Sequence, residues 1–220
     1  MVPPTILLTG FGPFLTVAEN ATSELVPALG KAVAAQLPQL HCVAEILPTD
    51  WTQAPARLDE LMQQHAPAIV LQFGVSPRAK GFVIERRGRN ERQSSLDANG
   101  CKPRASRIDV TGPKFIDTSL PIKLVLNRLH ALGLRAAQSH SAGRYVCNAL
   151  LYHGLRASTH DDRPPPMIGF IHLPVKIPAS AASANALTMA QAITGGVAIV
   201  AACHDYLTEL SEGQQSAARA

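Results

Sequence analysis

The sequence predicts an α/β fold with a largely parallel sheet. Short apolar runs alternate along the chain with segments of helical periodicity, the pattern of a sheet whose strands are joined by crossover helices. The run Ala66 to Val75 (APAIVLQFGV) is apolar without alternation, as a strand covered on both faces should be. The 220 residues, 46% of them hydrophobic and 16% charged, suffice for one large core and exclude a disordered chain.

Each element has its own justification. Thr5 to Thr9 (TILLT) is a buried strand ending at Gly10. After the loop GFGPFLTVAEN, Thr22 or Ser23 is expected to cap a helix running to about Gln36, with Pro27 near its first turn. Cys42 to Leu47 is the second strand. Asp50 to His65 is a helix presenting Leu58, Leu61 and Met62 on one face, and Ala66 to Val75 is the third strand. Residues 78–118, rich in Arg, Gly, Asn and Pro, break the rhythm; a stretch of that length is a functional loop or a hairpin excursion. Leu120 to Leu132 is a helix, Ala136 to Ser139 a short strand and Cys147 to Ala157 a helix. Met167 to His172 is a strand, and about Ser183 to Leu210 is the closing helix. Residues 1–210 form one domain, and the polar segment 211–220 is expected to be a frayed tail.

Composition narrows the function. A net charge of +4 is too small to mark a nucleic-acid binder. The start MVPPTILLTG lacks a basic leader, and the apolar stretch Ala186 to Cys203 is interrupted by Thr188, Gln191, Thr194 and Gly195-Gly196, so it reads as a buried helix rather than a membrane span. Four dispersed cysteines form neither a zinc ribbon nor a disulfide framework. A soluble cytoplasmic protein follows from this.

Ligands of open α/β sheets bind beyond the carboxyl ends of the strands. Gly10-Phe11-Gly12 lies there, but a dinucleotide fingerprint needs a third glycine at position 15, where Leu15 stands, and phenylalanines obstruct close approach of a pyrophosphate. Phe11 and Phe14 are either a core plug or the wall of an apolar pocket for a small flat group. Cys147, in SAGRYVCNALLYHGL, stands at a helix start, where the positive end of the macrodipole favours a thiolate. Cys42 and Cys203 lie in apolar runs and read as core; Cys101 is incidental in a polar loop. His172 ends the MIGFIH strand, the place for a base beside a thiol. The other histidines, His41, His65, His130, His140, His153, His160 and His204, read as surface or helix residues. Glu85, in GFVIERRGRN, is either a salt-bridged surface carboxylate or the group that orients the histidine. Nine of the twenty basic side chains fall in 78–107, a solvated or anion-holding loop with Phe82 its lone aromatic residue.

Together these residues resemble the pyroglutamyl peptidase I family of cysteine peptidases, from about Thr5 to Leu210. LLTGFGPF at 7–14 looks like its opening motif, with Asn20-Ala21 and GVS at 74–76 in matching places. E-R-x-G-x-N at 85–90, AGRYVCN at 142–148 and GFIHLP at 169–174 are similar to its glutamate, nucleophile and histidine motifs. The resemblance implies a three-layer α/β/α sandwich around a twisted, mostly parallel sheet, often assembled as a homotetramer. It implies removal of an N-terminal pyroglutamyl residue from a peptide substrate through a thioester, without metal or cofactor. By position, Cys147 would be the nucleophile, His172 the general base and acid, and Glu85 the orienting carboxylate. Phe11 and Phe14 would wall the lactam pocket, Val75 would stand where bacterial members carry a side-chain amide, and Arg86 would lie near the oxyanion. The chain departs from the family at Leu15, Val75 and Val175, and Arg87 and Arg89 make the glutamate loop more basic. The competing expectations are a related thiol amidase or esterase for another small acyl group, and a non-catalytic protein that binds acidic partners through the basic loop.

Overall fold

The computed structural model describes residues 3–14, 17–158, 164–180 and 186–219, for the last six of these the backbone alone. Leu15, His160 and the expected helix start at Ser183 lie outside the described residues.

The element order is β1 (Thr5–Phe11), α1 (Ala21–Gln36), β2 (His41–Leu47), α2 (Gln53–His65), β3 (Ile69–Val75), β4 (Phe82–Glu85), β5 (Arg87–Arg89), β6 (Phe115–Asp117), α3 (Ile122–Ala131), β7 (Ala136–Ser139), α4 (Val146–Ala157), β8 (Met167–Leu173) and α5 (Met189–Arg219). Six strands form one sheet in the order β2-β1-β3-β8-β4-β7, and β5 pairs with β6 in a small separate ribbon. β2, β1, β3 and β8 are parallel. β4 runs antiparallel to β8 and parallel to β7. The sheet is therefore mostly parallel and sandwiched by helices.

Alternation along the strands divides the core. Ile6 and Leu8 of β1, with Leu71 and Phe73 of β3, pack with Leu25 and Leu29 of α1, Val125 and Leu129 of α3 and Val200 of α5. Leu7, Phe11, Val70, Ile168 and Phe170 face the other way, against Leu58 and Leu61 of α2 and Ala149 and Leu150 of α4. His172 follows Phe170 by two residues, and Glu85 belongs to the same face of β4 as Val83, opposite the face that buries Phe82 and Ile84. The α4 layer thus covers the sheet face from which both side chains project.

Several expectations require correction. The cap of α1 is Asn20, whose side chain accepts from the Thr22 amide at 3.1 Å, and neither Thr22 nor Ser23. Thr22 is instead buried, its hydroxyl accepting from the Phe11 amide at 3.0 Å and so tying helix to strand. Pro27 consequently falls inside the helix, beyond its first turn. The segment 78–118 does contain an excursion, the β5–β6 ribbon, but its first strand, β4, enters the main sheet. α5 extends through Arg219 into the segment 211–220, since Glu, Gln, Ala and Arg are good helix formers and no proline stops them. Gly195 and Gly196, which interrupt the apolar stretch in α5, permit close packing: a β-carbon on Gly195 would collide with Phe82, and one on Gly196 would come within 2.7 Å of Leu29. No described helix is long and apolar enough to cross a membrane.

The irregular residues between β5 and β6 are held by three buried polar side chains. Asn90 accepts from the amides of Ile108 and Asp109, each at 2.9 Å, and donates to the Asp109 carbonyl at 2.7 Å. Asp97 accepts from the amides of Asn99 (3.0 Å), Cys101 (2.8 Å) and Trp51 (3.3 Å). Asn148 of α4 accepts from the Arg89 amide at 2.8 Å and donates to the carbonyls of Arg89 (2.8 Å) and Glu91 (2.9 Å). Backbone groups that have no sheet or helix partner are satisfied in this way, which lets a long loop lie against the core.

Candidate active site

Three elements converge at one edge of the sheet. His172 is the penultimate residue of β8, paired in register with Gly74, the penultimate residue of β3, and with Val83 on β4. Because β4 runs antiparallel, Glu85 lies one step down from that edge, level with Phe170. The His172 ring donates from Nδ1 to Glu85 Oε1 at 2.8 Å, and both side chains are buried. Cys147 lines the same cleft as His172 and acts on its imidazole, favouring the protonated ring. A turn at Gly143, whose φ of 78° suits glycine, delivers the chain to α4, and Cys147 is the second residue of that helix. Gly74 packs beneath the sulfur: a β-carbon there would lie 3.2 Å from Cys147 Sγ.

The electrostatics follow from this packing. Burial opposes a charge on His172, but the hydrogen bonds to Cys147 and Glu85 and the charges of those partners outweigh it, and the imidazole pKa rises to about 9. Burial also makes two of the other thiols less reactive. Burial alone pushes Cys42 up to about 11, and burial of Cys203, only partly offset by Arg128, pushes it up to about 12. Tyr145 caps α4 without a side-chain hydrogen bond to the helix, so the amides of the first turn have no intrahelical partner. They surround Cys147 and are free to hold an oxyanion.

A cleft of about 670 Å³ opens over the pair. Phe11, Phe14, Val75 and Tyr145 line it together with Cys147 and His172. Phe11 is buried against Phe170 with ring centroids 6.4 Å apart, while Phe14 is half-buried and stacks toward Tyr145 at 5.6 Å. Trp51 supports Tyr145 edge-on at 5.2 Å and donates from its indole to the Ser95 carbonyl. Tyr145 in turn donates to the Leu96 carbonyl at 3.0 Å.

The sequence-derived candidates therefore divide. Cys147, His172 and Glu85 come together, and Phe11, Phe14 and Val75 share their cleft. Arg86 does not line it. In an extended segment successive side chains alternate, so Arg86 points away from Glu85 and lies exposed beside Asp117 at 3.4 Å. Arg87 also pairs with Asp117, at 3.0 Å, and Arg89 with Glu91, at 2.6 Å, so much of the basic loop is internally neutralised. Sequence reasoning passed over Tyr145, Trp51 and Asn148. Tyr145 and Asn148 flank Cys147 within AGRYVCN, which was the available signal; Trp51 carried none, because its role depends on a loop 44 residues away. No cluster of metal-ligating side chains is found among the described residues.

Comparison with known proteins agrees with this geometry. The family model described as pyroglutamyl peptidase matches residues 4–205. A pyrrolidone-carboxylate peptidase of Oceanobacillus iheyensis is 33% identical over 169 residues, 77% of this chain and 83% of that protein. Pyrrolidone-carboxylate peptidase 1 of Ralstonia nicotianae is 33% identical over 189 residues, 81% of each chain. The solved pyrrolidone carboxyl peptidase of Pyrococcus furiosus superposes with a TM-score of 0.82 at 25% identity, covering 92% of this chain and 99% of that one. That of Thermococcus litoralis shares the fold, with a TM-score of 0.83 at 24% identity over 94% and 96% of the two chains. With a cysteine, a histidine and a glutamate joined at the sheet edge and these relatives spanning most of its length, the chain belongs to the pyroglutamyl peptidase family of cysteine hydrolases.

Proposed function

We propose that this chain removes an N-terminal pyroglutamyl residue from peptides, with Cys147 as nucleophile, His172 as general base and acid, and Glu85 as the group that orients the imidazole. The observation that carries the reading is the Glu85–His172 hydrogen bond at 2.8 Å with Cys147 in the same cleft, the three brought together by β4, β8 and α4. His172 takes up the thiol proton before the substrate arrives, its raised pKa favouring the protonated ring, and the sulfur attacks the pyroglutamyl carbonyl. The tetrahedral oxyanion is held by amides at the start of α4. His172, now imidazolium and stabilised by Glu85, protonates the leaving amine as the C–N bond breaks. Water, deprotonated by His172, then hydrolyses the thioester and frees pyroglutamate.

The lactam is small, flat and neutral. Phe11 and Phe14 suit its faces, with Val75 at its edge. Backbone groups in the cleft can pair with the ring N–H and C=O, and such a pair left unmade would reject proline. A homotetramer, by family resemblance, and a cytoplasmic location, from the dispersed cysteines, complete the reading.

The deciding measurement is release of aminomethylcoumarin from its pyroglutamyl amide. Cys147→Ala and His172→Ala should each lose at least ~10³-fold in kcat. Wild-type turnover by the Cys147→Ala protein would end the assignment.

A further inference from the structure

We propose that Arg78 selects peptides that carry a carboxylate immediately beyond the scissile bond. The proposal rests on the pyroglutamyl peptidase reading above and extends it to the leaving side of the cleft.

Strand order places the two arms of the cleft on opposite sides of the reacting groups. Phe11 and Phe14 rise from β1, on one side of β3. The residues after β3 cross in the other direction. The Ser76 amide bonds the carbonyl of Leu173 at the end of β8 at 2.8 Å, and the chain then enters β4 on the far side of β8. Cys147 and His172 lie between these arms, over Gly74. A substrate with its ring against the phenylalanines must therefore send its departing amine toward the loop that carries Arg78.

Arg78 lines the cleft and is exposed, its backbone amide bonded to Ser76 Oγ at 3.3 Å. Among the described residues its guanidinium has no carboxylate partner. The other charged side chains of the lining, Glu85 and His172, are buried and paired with one another through Glu85 Oε1. Acids of the loop between β5 and β6 are also committed: Glu91 to Arg89 and Arg144, and Asp97 to three backbone amides. An anionic group on the leaving peptide thus meets an uncompensated cation in a recess with few competing charges. A planar guanidinium suits a carboxylate through paired hydrogen bonds. The carboxylate has two sources, an acidic side chain on the residue after pyroglutamate or the free C-terminus of a dipeptide.

The test compares kcat/KM for pyroglutamyl-glutamyl amide, pyroglutamyl-glutaminyl amide, pyroglutamyl-alanine and pyroglutamyl-alanyl amide. The wild type should favour each carboxylate-bearing substrate over its neutral counterpart by about 3–5-fold, the scale of an exposed ion pair. The difference should lie mainly in KM and shrink as salt rises toward about 1 M, where the screening length is about 3 Å. The glutamyl pair and the free-carboxyl pair distinguish the two sources. Arg78→Gln should erase the preference, Arg78→Lys should keep part of it, and Arg78→Glu should reverse it. Equal wild-type rates within both pairs, or a preference that survives Arg78→Gln, would overturn the assignment. The uncharged pyroglutamyl coumarin amide separates the two readings. Wild-type turnover of it without any carboxylate preference sinks Arg78 alone, whereas no turnover by the wild type sinks the peptidase reading and this one with it.

Discussion

Gly74 sits directly under Cys147: a β-carbon at this position would stand 3.2 Å from the sulfur and 2.6 Å from Phe170 Cζ. The Phe170 ring has no room to retreat, since it is fully buried between Phe11 and the His172 ring, whose centroid is 4.8 Å away. Gly74→Ala should therefore displace the ring that supports His172. We expect a loss of about 1–3 kcal/mol in stability, as for other overpacked cores. A fall in kcat/KM larger than the fall in folded fraction should accompany it, read by urea unfolding and coumarin release on the same samples.

Cys147 and Glu85 together hold the proton on His172 and so set the alkaline limit of activity. The imidazole holds its proton up to about pH 9 in the folded protein, against about 6.5 for an unperturbed histidine. Above that limit the general acid is gone, so kcat/KM should decline through about pH 9. In Glu85→Gln the limb should move to lower pH, and kcat should fall on the order of 10²–10⁴-fold. Stability carries the same signature. The raised pKa means that the folded state binds the proton more tightly than the unfolded chain. The contribution is complete below about pH 6.5 and is lost as pH rises through about 9. Unfolding titrations of wild type and Glu85→Gln at both ends of that window should converge on the alkaline side.

Thiol labelling should separate the four cysteines. Cys203 is fully buried with a pKa of about 12, and Cys42 is half-buried with a pKa of about 11, so both stay protonated near neutral pH. Cys101 is exposed but has no base beside it, its sulfur facing only the Asn99 carbonyl at 3.9 Å. Iodoacetamide should modify Cys147 first, and His172→Ala should abolish that priority. Mass spectrometry after brief exposure reads the order; Cys101 labelled ahead of Cys147 would contradict an activated thiol.

Asn148 should matter for folding more than for chemistry. Its amide satisfies one N–H and two carbonyls of residues 89–91 from a fully buried position. Asn148→Ala leaves these groups without partners, at about 1–3 kcal/mol for a buried unsatisfied group. The midpoint of urea unfolding should drop, and protease cleavage in the 89–113 segment should accelerate.

Phe14 is the more exposed of the two phenylalanines in the cleft and is held mainly by Tyr145. Phe14→Ala should raise KM for the pyroglutamyl coumarin amide several-fold and leave kcat within about 10-fold, the signature of lost ground-state binding. A mutant with unchanged KM would remove Phe14 from the lactam wall.

Residues far apart in the chain differ in how well they announced themselves. Cys147 and His172 were legible because each marks the end of an element whose local pattern is strong: a helix start after Gly143, and the last positions of an apolar strand. Glu85 was ambiguous, since a carboxylate among arginines also describes a solvated surface; only the entry of β4 between β8 and β7 buries it. Arg86 was misplaced because sequence adjacency does not convey side-chain direction, which alternates along an extended segment. The cap of α1 was missed for a similar reason. Asn20, Thr22 and Ser23 are all good capping residues, and the choice was made by Thr22 docking on the Phe11 backbone.

By itself the amino-acid order determined the elements, their alternation and thus the α/β class, because apolar periodicity and turn residues act within a few positions of one another. It also placed the cysteine and the histidine at element ends. The tertiary structure decided which strands are neighbours, that β4 runs against β8, and hence that Glu85 meets His172 across 87 residues of chain. Strand pairing at such separations is set by competition among all the faces that the whole core must bury, and no local stretch of sequence carries that outcome.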